Sequence, residues 1–267
     1  MMANQDKVTE VRKKAIERHD VDSSIFQGSY EDFKQGKYTN EFIYGRYQIF
    51  DEIDQVLTSL PKGSRILDLG CGTGHFSNYM RQRGYEVVGL DPSTKMLDFA
   101  KKNFPEIEFV EGISSALPFN DNSFDLIISI EVLRYLHPKD EVDSYSEVYR
   151  TLKPGGTFFV THVNRFATDG YYFFYHFQYF LSKLKGKQYH NCYFTTGGKE
   201  EALLKKAGFK NIQTIGRMFG SIRIGYKLGN SIGRMWARTI NKLNSKESFT
   251  SNPGKAFAGH LIVTCQK

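Results

Sequence analysis

Ten residues constrain this chain more than any others: Arg65-Ile66-Leu67-Asp68-Leu69-Gly70-Cys71-Gly72-Thr73-Gly74 carries an apolar strand into a glycine loop that opens directly into a helix. Closely spaced glycines bring backbone amides to a surface that no Cβ obstructs. The free N–H groups at the start of the following helix add to them. A second apolar strand ends in Asp91, where a carboxylate can accept both hydroxyls of a ribose. The expectation is a nucleoside site in an α/β domain.

Two nucleotide signatures are separable on residue grounds. The dinucleotide fingerprint G-x-G-x-x-G fails, because the third residue after Gly72 is His75, and no Gly-Lys-Ser/Thr follows the loop as a P-loop requires. Asp68 at the end of the first strand repels a pyrophosphate but attracts a ligand that carries an ammonium group. A nucleoside with an amino-acid tail therefore satisfies Asp68 and Asp91 together.

Around this loop the chain alternates apolar runs with amphipathic helical patterns, the rhythm of a parallel α/β sheet. Strands are expected at about 65–69, 85–90, 106–110, 124–130 and 156–163, with Pro154-Gly155-Gly156 as a turn before the fifth. Helices are expected at about 74–83, 93–102 and 140–151. A later helix, strand and final strand fall near 199–207, 211–216 and 259–266. Residues 1–60 read as a helical and aromatic lid. They are followed by one domain from 61 to 267 with insertions at about 165–195 and 217–256.

An ordered set of segments resembles the class I S-adenosylmethionine-dependent methyltransferases, in the branch that acts on quinones, sterols, sugars and natural products. The segments are Ile-Leu-Asp-Leu-Gly-Cys-Gly-Thr-Gly at 66–74, Val-Val-Gly-Leu-Asp-Pro-Ser at 87–93, Leu-Pro-Phe at 117–119, Phe-Asp-Leu-Ile-Ile-Ser at 124–129 and Leu-Lys-Pro-Gly-Gly at 152–156. The resemblance implies a seven-stranded, mostly parallel Rossmann-like sheet with helices on both faces and an antiparallel final strand, extended here by helical and aromatic caps. It also implies S-adenosylmethionine as methyl donor, with S-adenosylhomocysteine as product. Asp68, Gly70, Cys71 and Gly72 would surround the methionine moiety, and Asp91 would hold the ribose beside Pro92, Ser93 and Met96. Relatives commonly place Gly-Asp-Ala before Leu-Pro-Phe. This chain reads Gly112-Ile113-Ser114-Ser115-Ala116, leaving Ile113, Ser114 and Ser115 to receive the adenine.

In an open parallel sheet the acceptor collects beyond the carboxyl ends of the strands. Ile130, Glu131, Arg134 and Tyr135 follow the fourth strand, while His162 and Asn164 end the fifth. Ile130 should border the cofactor. Tyr44 and Arg46 belong to the aromatic segment expected to close over the same edge, and with Glu131, Arg134, Tyr135 and Asn164 form the expected acceptor lining. An oxygen acceptor needs a base, for which His162 and His137 are the candidates. His260 carries no distinctive spacing. No compact set of His, Asp and Glu suggests a metal.

The three cysteines are odd in number and far apart, which fits a reducing, cytoplasmic setting rather than a disulfide framework. The net charge of +7 is concentrated: Arg217 to Ala256 holds eight Lys or Arg against one acid, Glu247. That field attracts an anionic partner. The 222–246 segment reads as a basic amphipathic helix with Trp236, which suits peripheral contact with an anionic membrane or an ordinary solvated cap. Tyr171 to Leu181 has eight aromatics in eleven residues, suited to an apolar pocket, a membrane patch or an interface. Nucleic acid is disfavoured, because aromatic and basic residues are not interleaved. The function expected is methylation of a small apolar or anionic molecule by a monomer or homodimer. An RNA or DNA methyltransferase and a non-catalytic scaffold are the alternatives.

Overall fold

A computed structural model describes residues 40–186, 191–220, 222–244 and 254–267. The expected helix around Val8 to Ile16 lies outside them. Seven strands form one sheet: β1 (Arg65–Leu69), β2 (Glu86–Asp91), β3 (Glu108–Glu111), β4 (Phe124–Ser129), β5 (Leu152–Val163), β6 (Lys210–Arg217) and β7 (His260–Gln266). Their order is β3-β2-β1-β4-β5-β7-β6. The β1–β2, β1–β4, β2–β3 and β4–β5 pairs are parallel, whereas β7 runs antiparallel to both β5 and β6. This is the expected Rossmann-like sheet.

Both faces of the sheet are covered, as parallel strands require. On one face, α1 (Glu41–Thr58) brings Ile49, Phe50, Ile53 and Leu57, and α2 (His75–Arg81) brings Phe76 and Met80, against Ile66, Leu126, Ile128 and Phe159. The spacing of those α1 residues makes one helical stripe, and Asn40 caps the helix by accepting the Ile43 amide at 2.9 Å. Residues 41–58 are thus a core layer of the domain. The other face packs α4 (Pro138–Thr151), through Tyr145 and Val148, and α6 (Gly197–Ala207), through Leu204, onto Leu67, Ile127, Phe158 and Val263. Between β2 and β3, α3 (Thr94–Asn103) buries Leu97 and Ala100 beside Phe109.

The Pro154-Gly155-Gly156 turn proves to be an irregularity inside β5 rather than its prelude. Phe124 pairs with Leu152 and Leu126 with Thr157, so the residues between them bulge from the ladder, with Gly155 at φ 77°. Pro154 has no amide to give the ladder, and a bulge is one of the few places where a strand tolerates that.

The insertions add three helices: α5 (Tyr171–Leu184), α7 (Ile222–Leu228) and α8 (Asn230–Asn244). A Cβ on Gly233 of α8 would stand 2.3 Å from the Tyr226 ring of α7, and one on Gly225 would meet Trp236 at 3.1 Å. Each helix thus offers a glycine to the other's aromatic side chain, and that close contact compensates their poor helical propensity.

Candidate active site

The loop between β1 and α2 is fixed by its neighbour strand. Gly70 and Cys71 donate their amides to Leu90 O at 2.7 and 3.0 Å. Asp91 accepts the Gly72 amide on one carboxylate oxygen and the Ser93 amide on the other, both at 2.9 Å. Ser93 in turn caps α3 by accepting the Met96 amide at 3.1 Å. Asp91 therefore shapes the loop from its sequence-distant side and stands at the β2 end where a ribose belongs. Asp68 is 3 % exposed and accepts the Ser77 hydroxyl at 2.6 Å. Burial pushes its carboxyl up to about 7, against the pull of the Ser77 hydrogen bond, with the charge of Asp91 adding to the rise and that of Arg46 opposing it. A buried carboxylate of this kind is prepared for a cation.

A narrow cleft of about 40 Å³ opens on this loop, lined by Leu69, Gly70, Leu90, Pro92, Ile113, Ser114, Ser115, Val132 and Leu136. Its walls are mostly apolar, the chemistry that a flat purine takes, and the 112–116 turn supplies Ile113, Ser114 and Ser115 to them. Gly70 has φ 82°, and a Cβ there would lie 2.2 Å from Val132 Cγ2. The cradle thus depends on a residue without a side chain. Two carboxylates, a bare glycine and an apolar slot thus gather at one end of the sheet, a set whose chemistry fits S-adenosylmethionine.

Four of the expected cofactor residues have their side chains engaged within the protein. The Cys71 thiol packs among Leu97, Ala100, Ile107 and Phe109, and Ile130 packs in the α1-side core. Met96 is 2 % exposed within α3, and the buried Ser93 spends its hydroxyl on the cap. The apolar character of Met96 and Ile130 lets the core claim them, and the Cys71 thiol keeps only a 3.9 Å contact to Gly72 O within the loop. Ser114 lines the cleft while accepting the Ser144 hydroxyl at 2.7 Å.

Beyond the end of β4 a second group assembles. Glu131 adopts φ 62°, a left-handed conformation that a side chain rarely takes without a functional or packing reason. Its amide donates to Thr161 Oγ1 at 2.8 Å. Its carboxylate pairs with Arg134 and lies 3.0 Å from His260 Nδ1, an ion-pair distance off the line of a straight hydrogen bond. Burial raises the Glu131 carboxyl, but the charges of His260 and Arg134 together outweigh it and hold it well below the usual range. The charge of Arg46 lowers both the Asp68 and the Glu131 carboxyl. Arg134 also donates to Tyr171 Oη and lies 5.0 Å from the Tyr135 ring centre. Its Nε is buried and has no hydrogen-bond partner among the described residues.

The remaining acceptor-side candidates serve the scaffold. Tyr44 is fully buried against Met218, Ile222 and Tyr226. Asn164 is 1 % exposed and donates to Ala256 O and Ala258 O at 2.8 and 2.9 Å, latching the segment before β7. His137 caps α4, accepting the Lys139 amide at 3.3 Å. His162 turns away from Glu131 because successive strand residues face opposite sides: Thr161 meets Glu131, while His162 lies under α4 and α6. There it contacts Tyr145 Oη at 3.1 Å, with Glu141 3.9 Å from Nδ1 and Glu200 3.7 Å from Nε2. These three are the group among the described residues whose ligand atoms could gather on a metal, within 4.8 Å of one another. The closest contacts use opposite ring nitrogens, however, and the Lys199 ammonium lies 3.4 Å from Glu141 and 3.7 Å from Glu200. His260, by contrast, gave no signal in the sequence, since its place beside Glu131 arises from the pairing of β7 with β5.

Residues 67–160 match the family described as a methyltransferase domain. An uncharacterized methyltransferase of Synechocystis sp. is 36% identical over 121 residues, 45% of this chain and 57% of that one. Malonyl-[acyl-carrier protein] O-methyltransferase of Pectobacterium atrosepticum is 34% identical over 119 residues, covering 42% and 46%. The chain therefore spans about half the length of these curated relatives. Among solved structures, a SAM-dependent methyltransferase from Thermotoga maritima shares the fold with a TM-score of 0.56 over 85% of this chain and 92% of that one, at 22% identity. The glycine loop, the two carboxylates, the strand order and these matches agree: residues 67–160 match a methyltransferase domain, and the chain has the fold of S-adenosylmethionine-dependent methyltransferases.

Proposed function

We propose that this chain transfers a methyl group to an oxygen of a small apolar or anionic molecule. The observation that carries the reading is the buried Glu131–His260 pair, with Arg134 beside it, at the same sheet edge as the nucleoside loop. S-adenosylmethionine supplies a methyl group already activated by a positive sulfonium. The protein's part is then alignment, exclusion of water and removal of one proton.

In this reading Asp68 pairs with the ammonium of the amino-acid tail and Asp91 accepts the ribose hydroxyls. Arg46, Arg134 and Tyr135 bind the acceptor, and Tyr171 joins them. Glu131 holds the His260 imidazole by Nδ1, leaving Nε2 to take the proton of the acceptor hydroxyl as its oxygen gains the methyl. His260 replaces His162 and His137 in this role, since the former is enclosed on the opposite face and the latter caps a helix. The relative from Pectobacterium, an O-methyltransferase by name, supports oxygen as the acceptor atom. Peripheral contact of the 222–246 region with an anionic membrane is part of the same proposal, given its uninterrupted basic character up to Lys246.

Incubating the protein with labelled methyl donor and a cell extract, then identifying the labelled product by mass, tests the reading. A product labelled on oxygen, lost in His260→Ala with S-adenosylhomocysteine binding retained, is the expected result. Labelling on carbon or nitrogen, or full activity in His260→Ala, would overturn the oxygen assignment.

A further inference from the structure

The two faces of α5 are unlike each other. One is anchored: Tyr171, Tyr172 and Tyr175 lie 5.7, 4.9 and 5.2 Å from the Phe194 ring centre, and Tyr175 Oη accepts the Cys192 amide at 2.9 Å. The other is bare. Phe173, Phe177, Phe180 and Leu184 follow the i, i+4, i+7, i+11 spacing of a single helical stripe and are 49 to 69 % exposed. The rings of Phe173 and Phe177 stack at 6.3 Å.

The start of α5 also meets α7. Phe174 sits beside Gly170 and carries the Lys227 ammonium 3.5 Å above its ring, while Ile224 approaches the same glycine. Leu228, one helical turn beyond Ile224, is 64 % exposed. An apolar ridge of this extent, uncovered among the described residues, marks an interaction surface.

Charge identifies the partner. Residues 171–186 and 222–244 contain no Asp or Glu, yet include Lys183, Lys185, Arg223, Lys227, Arg234, Arg238 and Lys242. Arg223 is neutralised by Asp169 at 2.9 Å, while Lys183, Lys185 and Lys227 stay at the ridge. A second copy docked through this ridge would set cations against cations. Phenylalanine and leucine between lysines suit a bilayer with anionic headgroups, where rings enter the acyl boundary and ammonium groups meet phosphate.

We propose that the α5–α7 face docks this protein on an anionic lipid surface. The principal docking element is thus the aromatic helix rather than α8, whose Ala237 and Trp236 pack on the buried residues Tyr44, Ile222 and Tyr226 of its own domain. The inference deepens the methyl-transfer reading and rests on it for one consequence: Tyr171, on the same helix, holds Arg134, so docking brings the acceptor site to the membrane and favours a lipid-soluble acceptor.

Flotation of the full chain with vesicles of phosphatidylglycerol and phosphatidylcholine, compared with phosphatidylcholine alone, tests the docking without reference to catalysis. Binding should require the anionic lipid, weaken with salt, and fall roughly tenfold or more in Phe177→Ser/Phe180→Ser. Calorimetric binding of S-adenosylhomocysteine by that variant should match the parent and show that it is folded. Failure of the parent to float at low salt, or equal flotation of a folded variant, overturns the proposal. Loss in the variant of self-association or of RNA binding, without any vesicle binding by the parent, overturns it in favour of another partner.

Discussion

His260, the first residue of β7, lies with Nδ1 3.0 Å from Glu131 Oε1 at the end of β4, although β5 runs between the two strands. Neither side chain is free to drift, since both are largely buried and Arg134 grips the carboxylate from the other side. If His260 removes the acceptor proton, His260→Ala should lower kcat by about 10²–10⁴-fold. Affinity for S-adenosylhomocysteine should be unchanged by calorimetry. A kcat within error of the parent would remove His260 from the mechanism.

Asp68 should make both stability and cofactor binding depend on pH. Its folded-state value, about 7, lies above the 3.8 of an ordinary aspartate. The folded protein therefore holds this proton more tightly, and the group's contribution to stability is full below pH 3.8 and is lost as pH rises through about 7. Pairing with a ligand ammonium needs the ionised form, so affinity for S-adenosylhomocysteine should increase as pH rises toward 7 and then level. Asp68→Asn should flatten both profiles and bind more weakly. Melting temperatures and titration calorimetry across this range read the two effects separately.

Gly70→Val should abolish cofactor binding while leaving a folded chain. The added Cβ meets Val132 Cγ2 at 2.2 Å and the backbone holds φ 82°. The conformational penalty alone is roughly 1–2 kcal/mol, and closure of the cleft adds to it. Circular dichroism together with calorimetry distinguishes a blocked site from an unfolded one.

Gly233→Ala is expected to loosen the α7–α8 pair without touching the nucleoside loop. Its new methyl would stand 2.3 Å from the Tyr226 ring, and overpacking of this kind costs about 1–3 kcal/mol. Thermal unfolding should shift downward. Tyr226→Ala in the same chain should restore part of the loss, a coupling that independent destabilisations do not show.

What was legible in the chain was what depends on near neighbours. The glycine loop, Asp68, Asp91 and the alternation of strands and helices follow from local pattern, and the expected sheet formed. Asp91 meets the Gly72 amide, and Ile113, Ser114 and Ser115 line the cleft beside it. The base proposed above is another matter. His162 looked suited because it ends β5, but a strand turns each successive side chain to the opposite face, and Thr161 is the residue that meets Glu131. His260 could not be picked out, because its neighbours come from strands far away in sequence. Nor does composition tell which rings of α5 are packed and which are bare, since Tyr175 and Phe177 differ only in the face they occupy.

The insertion of β7 between β5 and β6 also sets an order of events during synthesis. Both older strands leave the ribosome before the strand that joins them, and each waits with an unpaired apolar edge until His260–Gln266 arrives. Non-local pairing of this kind is slow and exposes sticky edges. The half of the domain that recognises the methyl donor, β1 to β4, can assemble earlier, whereas the Glu131–His260 pair comes into being only at the last step. A nascent chain thus completes the glycine loop and Asp91 before the Glu131–His260 pair exists.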